Sequence, residues 1–405
     1  MKNSSLFIFL FIILYSCNKD DKFGYPLVFT GDVINITDSS ATFVAKINSS
    51  GLMPIKESGF IWDLYPNYRN GFKIINTKAQ EGVYELKTNL KLLPGRTYYV
   101  RPYIQTETSL SYGKEITFRS NDRLIALGNW KRVYDDYLGY GWCEFINSGF
   151  TYNNITYFAF EDGTLYGYNH VTNKFGFVCS NPILTDADFS LVHNDKIFIF
   201  SINTIYDFDI QTKVFTKKVT INETLNGASG FIVGDNIYFG LGALYNSFVY
   251  TKKFWSYNIS TGKIKELSSF PGDYRCNAFS FVLNNKGYVG GGFNLIQGQW
   301  PYPKFQDLWY YDPDSDKWTE RESIQINIEN IYQLKGANTA YGYCFYDNRL
   351  FEYNTTFDTW EEMNKLQLVD RLCYPYFFSW QNKLFVIDVK NYNSVKYFAM
   401  WSHEK

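Results

Sequence analysis

Short apolar and aromatic stretches, each bounded by turn residues, recur along the chain and predict β-strands. The clearest example is 308–312, which is rich in aromatic residues and ends in Asp312. It follows a small apolar strand at 287–289 and three glycines at 290–292, and Trp318 comes six residues after Asp312. This order predicts two strands joined by a loop, with turn chemistry at Asp312 before a further outer strand.

The same unit recurs along the second part of the chain. Each copy has an apolar residue, an aromatic residue, a variable residue, a second aromatic residue and then Asn or Asp. The copies have identical length and lie at 165–175, 205–215, 254–264, 308–318 and 350–360. A strand upstream of each copy carries one shared aromatic: Tyr157, Phe198, Tyr238, Tyr288 or Tyr341. Such a repeat predicts small sheets that stack on one another, because one sheet cannot bury both of its faces alone.

The glycine cluster, the aromatic strand with its acid, and the following tryptophan resemble one blade of a kelch repeat, the galactose oxidase-like type of β-propeller. The resemblance covers 125–405 and implies an all-β ring. A sixth inner strand around Phe385 has no complete outer partner, whereas 129–134 looks like an outer strand with no blade before it. Together they predict a six-bladed propeller closed by its N-terminal strand, which would leave no exposed sheet edge at the junction.

A small all-β domain is predicted at 25–120, before the propeller at 121–405. In this domain Leu92, then Pro94 and Gly95, precede Tyr98, which comes six residues after the leucine. This spacing resembles the tyrosine corner of fibronectin type III domains, a family of small immunoglobulin-like sandwiches. The resemblance implies that the Tyr98 hydroxyl bonds a nearby backbone group. It also implies a spacer role, because such modules usually carry other domains.

The N-terminus has the features of an export signal. Lys2 precedes an apolar run at 6–14, about half of the roughly 20 residues that span a bilayer. Cys17 follows a serine and resembles a lipobox cysteine, which implies a signal peptide at 1–17, a lipid on Cys17 and a tether at 18–24. An ordinary signal peptide with a nearby cysteine is the alternative. The Lys-Asp-Asp at 19–21 resembles the signal for display on the outer face of an outer membrane, although a plain solvated tether stays open, as does the choice of leaflet.

Charge and rare residues narrow the classes of partner and cofactor. The chain has 39 Lys and Arg against 40 Asp and Glu, and no basic run, so nucleic acid is not an expected partner. Three scattered histidines do not form the close ligand pairs of zinc or copper sites, so no metal or other cofactor is expected. Cys143 and Cys373 occupy equivalent places in blades that would adjoin at closure. They are predicted either to form a disulfide or to be small buried residues near the axis.

Catalytic motifs are scarce. No Gly-x-Ser-x-Gly nucleophile motif stands out. Asp273 is one acid near the predicted channel mouth, with no partner that the sequence assigns. The sequence therefore leans against an enzyme, but some six-bladed kelch proteins are sugar epimerases, and a sugar-modifying activity stays open as an alternative.

A ligand site is predicted on the propeller face that carries the long loops 243–253 and 293–307. Trp300 and Tyr302 stand between prolines and predict a stiff apolar shelf, suited to a sugar ring or a protein partner. Alternatively, these aromatics pack onto the ring, and the arginines at the mouth bond backbone carbonyls. The candidate ligand-binding residues are Trp142, Tyr274, Arg275, Trp300, Tyr302, Arg371 and Tyr374.

These features together predict a non-catalytic, lipid-anchored protein of the outer membrane that faces the cell exterior. Its propeller would recognise an extracellular glycan through the loop face. A protein-protein interaction scaffold of the cell envelope would use the same loops and is the first alternative, with an epimerase as the second.

Overall fold

The computed structural model describes residues 24–121, 130–140, 145–245, 247, 249–294, 303–324, 343–346, 349–365, 376–381, 383–392 and 395–404. The chain divides into two compact units between Leu124 and Ile125. Apart from one 3-10 helix, Pro182–Asp186, the regular elements described are β-strands, so the all-β prediction is confirmed. Within these ranges no helix is long and apolar enough to cross a membrane.

The first unit consists of two antiparallel sheets with a shared core. The sheets have the strand orders β1-β2-β5 and β4-β3-β6-β7, with β8 also paired to β6. Phe43 of β2 lies 5.4 to 6.0 Å, between ring centroids, from Phe60 and Trp62 of β3 and from Phe118 of β8, so the core lies between the sheets. The strands are β1 (Leu27–Ile34), β2 (Thr42–Ser49), β3 (Glu57–Asp63), β4 (Phe72–Ile75), β5 (Gly82–Lys87), β6 (Thr97–Gln105), β7 (Leu110–Tyr112) and β8 (Ile116–Arg119).

Tyr98, at the start of β6, is fully buried in this core. Its hydroxyl oxygen accepts a hydrogen bond from the backbone N–H of Leu93 at 2.6 Å. The predicted bond between this hydroxyl and a nearby backbone group is therefore confirmed. It satisfies a phenol that would otherwise be buried without a partner.

In the described part of the second unit, six small antiparallel sheets contain most of the strands. Sheet one contains β10 (Ile146–Tyr152), β11 (Ile155–Phe160), β12 (Thr164–Asn169) and β13 (Lys174–Ser180), and sheet two contains β14 (Ala187–His193), β15 (Lys196–Ser201), β16 (Thr204–Asp209) and β17 (Val214–Thr220). Sheet three contains β19 (Ser229–Val233), β20 (Asn236–Gly240), β22 (Phe254–Asn258) and β23 (Ile264–Glu266), and sheet four contains β24 (Phe279–Leu283), β25 (Lys286–Gly290), β26 (Leu308–Asp312) and β27 (Lys317–Arg321). Sheet five contains β28 (Tyr343–Tyr346), β29 (Arg349–Asn354) and β30 (Thr359–Lys365).

Sheet six is built from both ends of the second unit. Its own strands are β31 (Tyr376–Trp380), β32 (Lys383–Tyr392) and β33 (Val395–Glu404). Its outer position is taken by β9 (Trp130–Tyr140), which pairs antiparallel with β33. Trp130 lies opposite His403 and Arg132 opposite Trp401. The segment that the sequence leaves without a blade is therefore the outer strand of the last sheet.

Neighbouring sheets share hydrophobic clusters. Such clusters join sheet six to one, one to two, two to three, three to four, and four to five. Phe158 of sheet one lies 5.3 Å from Phe378 of sheet six, and Phe254 of sheet three lies 4.9 Å from Trp318 of sheet four, both measured between ring centroids. The aromatic residues of the repeat thus supply the contacts between sheets, where their large apolar area is buried.

Polar groups also link the first strands of neighbouring sheets. The Ser148 and Ser190 hydroxyls lie 2.9 Å apart, between β10 and β14. Ser280 of β24 donates to the Gly230 carbonyl of β19 at 2.8 Å. The Tyr376 hydroxyl of β31 donates to the Gly149 carbonyl of β10 at 3.3 Å. These bonds satisfy buried hydroxyls and fix how adjacent strands sit against each other.

The Asn or Asp that ends each third strand organises the turn to the outer strand. In all five copies its side-chain oxygen accepts backbone N–H bonds from residues two or three positions later, which confirms the predicted turn chemistry. The fifth residue of each turn adopts a positive φ of 51° to 70°. Those fifth residues are Asn173, Lys213, Gly262, Asp316 and Asp358.

In sheets four and five, the tryptophan of the repeat and the aspartate at the fifth position of the turn both bond the preceding sheet. In sheet four, Asp316 accepts the backbone N–H of Ser268 at 3.0 Å, and the Trp318 indole N–H donates to the Ser268 carbonyl at 3.0 Å. The Tyr311 hydroxyl donates to the same carboxylate at 2.8 Å. Ser268 follows the outer strand of sheet three, so two side chains bind both backbone groups of one residue in the neighbouring sheet. We call this arrangement a backbone clamp.

A second backbone clamp joins sheet five to sheet four. Asp358 accepts the backbone N–H of Glu322 at 2.9 Å, and the Trp360 indole donates to the Glu322 carbonyl at 3.2 Å. The Tyr353 hydroxyl and the Arg321 guanidinium also donate to Asp358, at 2.6 and 3.2 Å. Asp358 is only 3% exposed, so its charge depends on these donors.

We expect Asp358→Asn to lower the free energy of unfolding by about 1–3 kcal/mol, because a charge-assisted acceptor is lost. Burial alone would raise the pKa of Asp358, but the Glu322 N–H, Tyr353 and Arg321 outweigh it and hold the pKa below its ordinary value. A carboxyl with a lowered folded-state pKa stabilises the fold above about pH 4, and this stability is lost as the pH falls through the folded-state pKa.

Urea unfolding between pH 2.5 and 7 measures this effect. Asp358→Asn should be less stable at pH 7 and should lose less stability on acidification than the wild-type chain. The exposed Asp314→Asn is the matched control and should behave as wild type. Equal acid sensitivity in wild type and Asp358→Asn would contradict the clamp.

Candidate functional site

Short paired segments extend sheets three and four at the ends where the long loops begin. On sheet three, β18 (Leu225–Asn226) pairs with β21 (Ala243–Leu244), and Ala243 also bridges Tyr250. On sheet four, Phe293 bridges both Cys276 and Lys304. The two loops that the sequence singles out, 243–253 and 293–307, therefore start and end on ordered stems.

Two exposed side chains of the first loop, Tyr245 and Val249, together with the half-buried Lys252 and with Tyr274, form what we call the loop patch. The exposed fractions of Tyr274, Val249 and Tyr245 are 50%, 59% and 37%. The Lys252 ammonium lies 4.6 Å from the centroid of the Tyr274 ring, a cation-π contact. Tyr274, a predicted site residue, therefore contacts the loop 243–253, and the sequence did not predict this contact.

Two carboxylates lie next to this surface, at the start of β14. The Tyr245 hydroxyl donates to Asp186 at 3.4 Å, and the Thr185 hydroxyl donates to the same carboxylate at 3.0 Å. Asp188 accepts the backbone N–H groups of Gly227 and Ala228 at 2.7 and 3.0 Å. Two amide donors stabilise the charged form of a carboxylate.

Gly227 is needed for the Asp188 contact. Its φ is +73°, a conformation that favours glycine, and an added Cβ would lie 2.8 Å from the Cys276 Cβ. Sequence reasoning missed Asp186 and Asp188. The available signal was the acidic pair itself, placed at the start of a first strand where the loop face begins.

Arg275 is fully buried, beside Tyr274. Its guanidinium forks to both oxygens of Asp307, at 2.5 and 2.7 Å. It also donates to the backbone carbonyls of Asp273 and Gly291, both at 3.0 Å. Bonds to backbone carbonyls were the alternative that the sequence left open for Arg275. The two carbonyls belong to sheet four and to the segment before it, not to a neighbouring sheet. These bonds are all made within the protein, and the Arg275 side chain has no exposed surface, so the structure does not place it in direct reach of a ligand.

The other predicted site residues lie outside the described part of the chain. These are Trp142, Trp300, Tyr302, Arg371 and Tyr374, together with Cys17, Cys143 and Cys373. Their proposed roles stay predictions. The described ends of the loop 293–307 are fixed, because the Asn294 N–H donates to the Pro303 carbonyl at 2.9 Å and the Phe305 N–H donates to the Gly292 carbonyl at 3.0 Å.

The described contacts of the histidines are with residues outside the loop patch. His193 contacts Asp235 at 2.9 Å between hairpins of sheets two and three. His170 stacks on Trp380 with ring centroids 4.3 Å apart, and its Nε2 lies 2.8 Å from the Thr156 hydroxyl. Among the described residues there is no group of three His, Cys, Asp or Glu side chains arranged to hold a metal ion.

Comparison with known proteins shows similarity to a curated protein and to solved structures. No protein-family model matches the chain. It is 32% identical over 131 residues to an N-acetylneuraminate epimerase from Pasteurella multocida, covering 29% of this chain and 32% of that one. Over that stretch the chain is a distant homologue of the epimerase. It thus spans about a third of the length of the curated relative it matches.

The structural neighbour is described as the structure of YjhT. It is 18% identical, with a TM-score of 0.40, and the likeness covers 49% of this chain and 71% of that chain.

Burial lowers the pKa of His170 to about 4, below its ordinary value near 6.5. The unfolded chain therefore takes up a proton at His170 before the folded chain does. Stability that is present above about pH 6.5 should fall as the pH is lowered toward 4. The His170 ring signals in an NMR titration should shift with a midpoint near pH 4, and His170→Gln should remove this part of the pH dependence. A His170 midpoint at or above 6.5 would contradict the buried, stacked placement.

Proposed function

We propose that this protein is a lipid-anchored, surface-displayed binding protein that recognises an extracellular glycan through the loop patch. The observation that carries the proposal is the half-exposed Tyr274 ring with the Lys252 ammonium against it. A ring held by a cation on one face leaves the other face for the C–H groups of a sugar. Lys252, the Tyr245 hydroxyl and Asp186 supply donors and acceptors for sugar hydroxyls nearby.

The ring that would present this patch is a six-bladed propeller. Five shared clusters between successive sheets support it, and so does the pairing of β9 with β33. Tyr134 of β9 also lies 5.5 Å from Tyr168 of sheet one, between ring centroids. Closure further requires sheet five to contact sheet six. In a closed ring of this kind, the loops between second and third strands gather on one face together with the links between blades.

The first unit is proposed as a fibronectin type III-like spacer. Support comes from its two sheets, β1-β2-β5 and β4-β3-β6-β7 with β8, and from the buried Tyr98 hydroxyl bonded to Leu93. The anchor at Cys17 and the outward-facing outer-membrane location rest on the sequence of 1–24. A spacer between lipid and ring would hold the loop patch away from the membrane.

A sugar epimerase is the second candidate, favoured by the similarity to the Pasteurella multocida N-acetylneuraminate epimerase. Moving protons at a sugar ring needs an acid and a base within reach of the reacting atoms. Asp186 with the Tyr245 hydroxyl at 3.4 Å, and Asp188 on its two amides, are the described groups that would serve. In this case the loop patch would bind the substrate and the carboxylates would act on it.

Saturation-transfer NMR on residues 18–405 tests the proposal with a panel of four monosaccharides: N-acetylneuraminate, N-acetylglucosamine, galactose and glucuronate. We expect at least one sugar to bind, and Tyr274→Ala to weaken its binding roughly tenfold, since an aromatic stacking contact contributes about 0.5–1.5 kcal/mol beyond buried area.

Tyr112→Ala is the matched control, because Tyr112 of the first unit is 44% exposed and carries Arg101 against its ring at 4.1 Å. It should leave binding unchanged. Exchange spectroscopy on the same samples separates the two candidates, since only an epimerase interconverts sugar forms faster than buffer does. If none of the four monosaccharides binds, sugar recognition is overturned and a protein partner from the cell envelope is favoured.

A further inference from the structure

We infer that the buried Arg275–Asp307 ion pair is the positioning element of the loop face, which holds Tyr274 and the base of the loop 293–307 in one fixed arrangement. This inference rests on the proposed sugar-binding function. It assigns Arg275 an indirect role, in which the side chain fixes the segments that carry the ligand-binding aromatics and does not touch the sugar.

The pair ties together three separate segments. Arg275 lies in the link that enters sheet four, Gly291 follows β25, and Asp307 ends the long loop directly before β26. The guanidinium bonds all three, through the Asp273 carbonyl of its own link, the Gly291 carbonyl and the Asp307 carboxylate. A planar fork of this kind fixes orientation as well as distance.

The pair is enclosed by aromatic side chains. The guanidinium lies 4.9 Å from the ring centroid of Phe270 and 4.2 Å from that of Phe305. The Trp309 indole N–H donates to Asp307 at 2.9 Å, which connects the pair to β26. The Arg275 side chain is 0% exposed and that of Asp307 is 22% exposed, so solvent screens the pair little.

The segments that the pair fixes are those that carry the proposed contacts. Tyr274 is the neighbour of Arg275 in the chain. On the other side, Cys276 and Phe293 exchange backbone hydrogen bonds at 2.9 and 3.1 Å, at the base of the loop that bears Trp300 and Tyr302 in sequence. A shift in the guanidinium would therefore move Tyr274 and the base of this loop together.

Sheet three carries a related pair with the charges reversed. Lys253 stands directly before β22, as Asp307 stands before β26, and it pairs with Glu223 in the preceding link. That lysine side chain is 46% exposed, however, so the pair is screened and contributes little. The buried version occurs on the sheet that carries Tyr274 and the long aromatic loop.

Two variants test the inference, and both are chosen so that the chain should still fold. Arg275→Lys keeps the charge but loses the fork. The double variant Arg275→Met/Asp307→Leu removes both charges, so no buried charge is left alone. Lys286→Gln is the matched control, because it breaks the Lys286–Asp312 pair, 3.0 Å between charged atoms, at the opposite end of the same two strands.

Two measurements are made on each variant of residues 18–405. Hydrogen exchange without sugar should accelerate by at least about tenfold in both 270–278 and 291–294, and stay unchanged in the control. Binding of the four-monosaccharide panel should weaken by roughly tenfold in both variants, with the control at wild-type affinity.

The outcomes separate the two proposals. Faster exchange in only one of the two segments, or wild-type affinity in both variants, overturns the positioning role while leaving sugar recognition intact. Weakening of the same size in Lys286→Gln also overturns it, because a general loss of stability would then suffice. A wild-type chain that binds no panel sugar overturns the proposed function and this inference with it.

Discussion

The backbone clamp is the interaction that orients sheets three, four and five against one another. A small sheet of four strands is not stable alone, because both of its faces stay in water. Hydrophobic clusters bury those faces, but apolar contacts are not directional and leave the orientation of each sheet loosely defined. Asp358 and Trp360 supply direction, since they bind the N–H and the carbonyl of Glu322 together. Asp316 and Trp318 do the same for Ser268.

The long loops and the contacts between sheets lie at different ends of the sheets. The loops can therefore differ in length and sequence while the strands keep the repeat. The clamps, the turn acids and the shared aromatics lie in strands and tight turns. The loop patch and the loop 293–307 extend from the other ends of sheets three and four. There the buried Arg275–Asp307 pair joins the link before sheet four to the base of the long loop. The proposed sugar recognition rests on the exposed Tyr274 and on the similarity to an N-acetylneuraminate epimerase over part of the chain.

Features set by nearby residues were predictable from the sequence, and features set by distant ones were not. The turns at Asp312 and Asn354 follow from side chains that bond N–H groups two or three residues away. The strand at 130–140 was found because the repeat lacked one outer strand at its other end. The acceptor of the Trp318 indole lies 50 residues away, and no local pattern indicates it. Likewise, the sequence placed Arg275 near the loop face, but its burial depends on Asp307, 32 residues later.

In the proposed ring, β9 closes the last sheet by pairing with β33, and the placement of the loop face follows from this closure. Hydrogen exchange in β9 tests it most directly. If β9 is the outer strand of sheet six in a closed ring, its amides should be as protected as those of β33 and should exchange only when the whole unit unfolds. If β9 does not close the last sheet, it should behave as a fraying end. Amides in 130–140 that exchange much faster than those in 395–404 would contradict closure.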